Sequence, residues 1–367
     1  MTVIIFIIAL AVLILVHELG HFLVAKKAGV KVPEFGLGFP PRIFGIKKGE
    51  TEYTLNWIPF GGFVKIVGEN ADEEIAKEDM PRSLASKPRH VQAAVIAAGV
   101  LFNFLFAWAI FSLGFMIGLP SSAETTPLSA FVTEPKLTVT SVLSGSPAEQ
   151  AGLKAGDVLL ALTSKDRMLQ NISHAGDAQT FIASYGKEPV GFLYKRGDGL
   201  PLFVSVMPKE GIIAEKPAVG ITMDVVGIAR LSLLSAVWEG GLTTIHLIGN
   251  VAVGFFEFIK NIAGGTANVK EIAGPVGIAG LVGQAEALGF IHLMMFVAFI
   301  SVNLGVINLI PFPALDGGRL LFLAIESIKR SPINPRVSAL ANTIGFALLL
   351  ILMFAVTYND IARLIKG

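Results

Sequence analysis

The chain contains no cysteine. That excludes disulfides, cysteine nucleophiles and thiolate zinc sites, and leaves histidine and the carboxylates as metal ligands. Charge is scarce too. Asp, Glu, Lys and Arg make up 16% of 367 residues, the formal net charge is +1 and the pI is about 7.9. No basic footprint points to nucleic acid. Apolar residues fill the gap: they are 53% of the chain, and the mean hydropathy is +0.67. Such values indicate an integral membrane protein rather than a soluble enzyme. The length allows two or three structural units.

Within the first apolar run sits His17-Glu18-Leu19-Gly20-His21. On a helix, residues i and i+4 share a face, so both imidazoles point the same way. Two such rings can hold one zinc ion, and Glu18 beside them can take a proton from a water on that zinc. The bland alternative is a pair of core histidines with a chance glutamate. The surroundings weigh against it. Twelve Leu, Ile, Phe or Val residues lie between Val3 and Val16. They return roughly 4–7 kcal/mol on insertion scales, against about 2.5–3.5 for one mid-membrane charge. A polar cluster kept at that cost is a functional site by default.

The pattern predicts four transmembrane helices, at about 2–25, 91–119, 290–310 and 340–357. The first lacks a basic leader and a cleavage site, and reads as a retained span. Lys26, Lys27 and Lys31 follow it, so the positive-inside rule puts the N-terminus outside and loop 26–90 in the cytoplasm. His17 and His21 then lie roughly 6–14 Å inside the cytoplasmic end. Loop 311–338, with Arg319, Lys329, Arg330 and Arg336, is likewise cytoplasmic, and the C-terminus is outside. Between the first two spans, 33–67 is rich in Gly, Pro and aromatics. Residues 52–58 and 63–67 read as two strands joined by the turn Pro59–Gly62. An ordinary surface hairpin fits as well as one dipping toward the site, which membrane depth permits only under protein or water cover. Asn103 in the second span reads as helix-packing glue. Residues 231–270 read as a pair of amphipathic helices on the outer surface, and 231–286 as an extracytoplasmic amphipathic region.

Residues 120–230 form the only long polar stretch, with a domain at 127–225. Strands at 137–143, 158–162, 190–196 and 201–207, with helices near 146–153 and 178–184, predict a small α+β domain. Its Gly145–Leu162 segment resembles a bacterial PDZ domain, which binds a peptide or chain end by strand addition. Val219–Thr222 would line that groove. His174 reads as a surface residue.

The third span ends in Asn308-Leu309-Ile310-Pro311-Phe312-Pro313-Ala314-Leu315-Asp316-Gly317-Gly318. Asp316 alone would be an N-cap. Catalytic zinc, however, takes three protein ligands, and topology puts Asp316 at the depth of His17 and His21.

Together these pieces resemble the site-2 protease family of intramembrane zinc metalloproteases, in its bacterial RseP-like branch. The resemblance rests on HELGH at 17–21, YTLNWIPFGGFVKI at 53–66, the PDZ stretch, GPVGI at 274–278 and NLIPFPALDGG at 308–318. It implies Zn2+ held by His17, His21 and Asp316, with Glu18 as general base and acid. It implies a re-entrant β-loop whose Gly61, Gly62, Phe63, Val64 and Lys65 hold substrate extended, with Asn308 near the substrate backbone. The implied substrates are transmembrane segments of single-span proteins already trimmed outside, such as anti-sigma factors, and remnant signal peptides. The implied location is a bacterial cytoplasmic membrane, with the PDZ domain outside. Two departures stand out: one PDZ domain instead of a tandem pair, and Val100 where the family often has proline. Other classes to weigh are a non-catalytic PDZ-bearing scaffold with structural zinc, and a transporter with a polar midplane site.

Overall fold

The computed structural model describes every residue except 70–74, 125–126, 166, 187, 198, 214–215, 266–272 and 367. The chain divides into two compact units, Met1–Ser112 with Val237–Gly367, and Leu113–Ala236.

Helix α1 (Thr2–Lys27) follows from an unbroken apolar run without proline. It stops at Gly29, whose φ of 68° suits glycine, with Lys26 and Lys27 against the negative end of the helix dipole. Strands β1 (Glu34–Lys48) and β2 (Thr51–Lys65) come next. Their pairing differs from the expected hairpin. Residues 52–58 and 63–65 do not pair with each other. Both pair with β1: Glu34 to Leu37 lie between Glu52–Leu55 on one side and Gly62–Lys65 on the other. Arg42–Lys48 adds a further antiparallel ladder against Thr51–Asn56. The apolar start of β1 takes the central place because Phe35 buries with Phe22, Val30, Val32, Val64, Ile66 and Val95. That cluster seats the sheet against α1 and α2 (Arg89–Ile117), each fully buried side chain contributing about 1.5–3 kcal/mol.

The second unit is a mixed domain. Strands β3 (Leu119–Ser122), β4 (Val132–Val142), β5 (Asp157–Ser164), β6 (Arg167–Gln170), β7 (Val190–Arg196), β8 (Pro201–Val206) and β11 (Ile221–Ala229) make a seven-stranded sheet. The short pair β9 (Lys209–Ile213) and β10 (Lys216–Ala218) stands apart from it. The sheet runs β3-β11-β4-β5-β7-β8, with β6 on β5. Helices α3 (Pro147–Gln150) and α4 (Ala175–Ser184) complete it. Alternating strand residues such as Leu137, Val139, Leu162, Val190 and Phe192 fill its core with Ala178 and Ile182 from α4. Ser146 caps α3 by accepting from Glu149 N–H at 3.2 Å. Asp157 is fully buried, satisfied by two 2.7 Å bonds from Arg196 and one of 2.8 Å from Lys154 N–H. The unit is wider than the expected 127–225, because β3 and the end of β11 extend the sheet.

The chain continues in α5 (Leu233–Ala263), a single helix of 31 residues where the sequence suggested a pair. No proline interrupts it, and its four glycines cost about 1 kcal/mol each without breaking it. Then come α6 (Pro275–Leu288), α7 (Phe290–Leu309), α8 (Asp316–Lys329) and α9 (Pro335–Lys366). Nor does α6 lie loose on a surface. It packs on α1, α7 and α9, with Gly277 N–H donating to the buried Asp360 at 2.7 Å. Among the described residues, five helices are long and apolar enough to cross a membrane: α1, α2, α5, α7 and α9. The first half of the chain, α1 to β2, is tied at its polar end by Glu50, which accepts from Arg82 at 2.7 and 2.8 Å and from Lys26.

Those bonds hold the Glu50 carboxyl down at about 2, from an ordinary 4.5. A depressed carboxylate stabilises fully above its unfolded value and loses that contribution as pH falls toward its folded one. Thermal midpoints in detergent should therefore drop between about pH 4.5 and pH 2. Glu50→Gln should flatten that window; an unchanged slope would show that Glu50 does not set it.

Candidate metal centre

The centre begins on α1. His17 and His21 lie one turn apart on its buried face, with their Nε2 atoms 3.2 Å from each other. Helix α2 forms the wall behind them, and three of its positions, four residues apart, touch the rings. The Val95 carbonyl accepts from His21 Nδ1 at 2.9 Å. That fixes the proton on Nδ1, so a neutral His21 turns the Nε2 lone pair inward. Gly99 faces the rings: a Cβ there would stand 2.2 Å from His21 Nε2 and 2.7 Å from His17 Cε1. Asn103, fully buried, has its side-chain nitrogen 3.1 Å from His17 Nδ1. The helices approach closely because Gly20 also meets the Ala98 carbonyl, where a Cβ would be 2.4 Å away.

The third arm comes from far along the chain. After α7 ends, Pro311 and Pro313 prevent helix, and Ala314 takes a φ of 75°. Asn342 on α9 accepts from the Ala314 N–H at 3.3 Å. Gly317 and Gly318 pass against the carbonyls of Leu309, Ile310 and Phe312, where any Cβ would be 2.2–2.3 Å from an oxygen. The tight turn aims the first residue of α8, Asp316, back at α1. Its Oδ2 lies 3.2 Å from His17 Nε2 and 3.3 Å from His21 Nε2. Leu315, not Asp316, occupies the N-cap position. Two ion pairs hold α8 in place, Arg319 with Glu69 and Arg89 with Glu326.

Three ligand-type atoms this close repel one another unless a proton or a cation lies among them. Among the described residues, Asp316 Oδ2 is buried without a hydrogen-bond partner. Tetrahedral zinc with bonds of about 2.0–2.1 Å spaces its donors about 3.3–3.4 Å apart. The observed triangle of 3.2, 3.2 and 3.3 Å fits that ion, and the N, N, O donor set suits it. A closed structural site would bring four protein ligands; this group brings three.

The remaining expected residues fall in two places. Glu18 is half-buried next to the cluster, and a Cβ on Gly62 would be 3.5 Å from its Cγ and 2.9 Å from Ile14. Gly61 to Lys65 thus run alongside α1, with Val64 buried and Lys65 exposed. Asn308 sits half-buried in the last turn of α7. Val95, Gly99, Asn342 and the two ion pairs were not singled out from the sequence. For Gly99 the clue was present, as the small run Ala97-Ala98-Gly99 in a span. His174 is exposed and pairs with Glu124.

Residues 5–352 match the model of peptidase family M50. A Clostridium perfringens protein named as a zinc metalloprotease is 39% identical over 98% of both chains. The regulator of sigma-W protease RasP of Bacillus subtilis is 31% identical over 99% of both, and zinc metalloprotease RasP of Geobacillus kaustophilus is 29% identical over 99% of this chain. A family match across nearly the whole chain, over a buried two-histidine, one-aspartate triangle sized for zinc, identifies this chain as a member of peptidase family M50 and a zinc metalloprotease.

Proposed function

We propose that this protease cuts transmembrane segments of single-span proteins, with His17, His21 and Asp316 as the zinc ligands and Glu18 as general base and acid. The observation that carries the reading is the 3.2–3.3 Å triangle of donor atoms on apolar helices. Bound there, zinc would supply Lewis-acid polarisation of a peptide carbonyl and a water whose pKa is lowered to about 7. Glu18 takes the proton from that water and returns it to the leaving amine. Val95 holds the His21 ring in the ligating tautomer.

A substrate helix hides its carbonyls in its own hydrogen bonds, so the segment must unwind before cleavage. Gly62 to Lys65 pair with Leu37 to Glu34 on one side. The opposite edge of that strand can receive the unwound segment and replace its lost bonds. Asn308 is the candidate for contact with the substrate backbone. In the polar unit, β3 and the Ala123 N–H cover β11 from Val225 to Ala229, so its start, with Ile221 and Thr222 of the expected 219–222 groove, offers a PDZ-like edge for a peptide or a trimmed chain end. The bacterial relatives favour the cytoplasmic membrane, and the lysines and arginines that follow α1 and lie in and after α8 favour loops 26–90 and 311–338 inside and this unit outside. The Bacillus subtilis relative is named for regulation of sigma-W, in keeping with the anti-sigma factors that the family resemblance implies as substrates.

Glu18→Gln should keep zinc and fold but lower cleavage of a single-span reporter by at least about 10²-fold. Retained proteolysis would eliminate Glu18 as the base. Gly99→Ala puts a methyl where the imidazoles stand. Metal analysis should show zinc affinity reduced by roughly 10–100-fold or more, whereas stoichiometric zinc at wild-type affinity would contradict the ligand assignment.

A further inference from the structure

Asn103 is completely buried in the middle of α2, a costly place for an amide unless it has work to do. Its backbone carbonyl accepts from Ser301 Oγ on α7 at 2.8 Å, which fixes the helix there. Its side-chain nitrogen meets His17 Nδ1 at 3.1 Å, and among the described residues its Oδ1 is buried with no partner. In this orientation the amide donates and Nδ1 accepts, so the His17 proton sits on Nε2. That is not the tautomer of a ring that offers Nε2 as a ligand. An amide, unlike the Val95 carbonyl that serves His21, can present either end. Its two ends are nearly equal in size, and no bond to Oδ1 holds it in its present orientation.

We propose that Asn103 is a positioning residue of the metal centre: its amide turns so that Oδ1 accepts the His17 Nδ1 proton, leaving the Nε2 lone pair for the metal. The inference rests on the reading of His17 as a ligand. Both histidines then follow one rule, each held in the ligating tautomer by an oxygen from α2, with Val95 serving one ring and Asn103 the other. Asn103 touches no reacting atom; it acts through His17.

The test is zinc affinity of the full chain in detergent, by competition with a chromophoric chelator, for Asn103→Asp, Asn103→Leu and Asn103→Ala. A carboxylate accepts but does not donate, so Asn103→Asp should bind zinc within about threefold of wild type or tighter. Leucine fills the volume without accepting, so Asn103→Leu should bind roughly 10–100-fold more weakly, as should Asn103→Ala. Wild-type affinity in Asn103→Leu would reduce Asn103 to a space-filler and overturn the proposal. Equal losses in Asn103→Asp and Asn103→Leu would overturn it too, by making N–H donation the needed contact. If Asn103→Ala does not fold, the other two decide. His17→Ala separates the two levels: wild-type zinc affinity there removes His17 as a ligand, while its loss beside an unaffected Asn103→Leu sinks the positioning role alone.

Discussion

Everything in the membrane unit depends on bringing a carboxylate oxygen within 3.3 Å of two imidazole nitrogens inside an apolar bundle. An unpaired carboxylate or two facing lone pairs would be costly there. A divalent cation converts that cost into binding, because the donors are already arranged and need little reorganisation. The rest of the unit can be understood as scaffolding for that triangle. Helix α1 supplies two donors at a fixed i, i+4 spacing, and α2 supplies the wall that orients them.

The wall works because it is thin where it must be. Gly20 and Gly99 remove side chains at the crossing of α1 and α2, letting backbone and imidazole approach within contact distance. The same device recurs in the turn before α8, where Gly317 and Gly318 let the chain fold tightly under α7. Large side chains could seal either place better, but they would occupy the volume that the rings and the Asp316 arm need. The ion pairs from Arg319 and Arg89 act at the polar end of α8, where solvent lowers their worth, so they orient the arm more than they stabilise it.

The sheet of β1 and β2 sets an extended backbone next to Glu18. Phe35 pulls the start of β1 into the core between two segments of β2. This pushes Gly62–Lys65 to the edge, alongside Ile14 and Glu18. A simple hairpin would have used that edge for its own pairing. The polar unit carries its own core, packed separately from the unit that holds His17, His21 and Asp316.

The sequence by itself determined the membrane class, the α+β nature of the central unit, and the pairing of His17 and His21 on one helix face. Each of these follows from local rules: long apolar runs, period-two strands, i and i+4 on one helix face. The strand order at 34–65 and the single long α5 were not legible, because pairing partners and surface cover are non-local quantities. So too the roles of Val95, Gly99 and Asn103 against the histidines: they depend on which face of α2 meets α1, and no periodicity records that. Tertiary structure alone decided that a carboxylate nearly three hundred residues away closes the triangle, since distance through the chain says nothing about distance through the bundle.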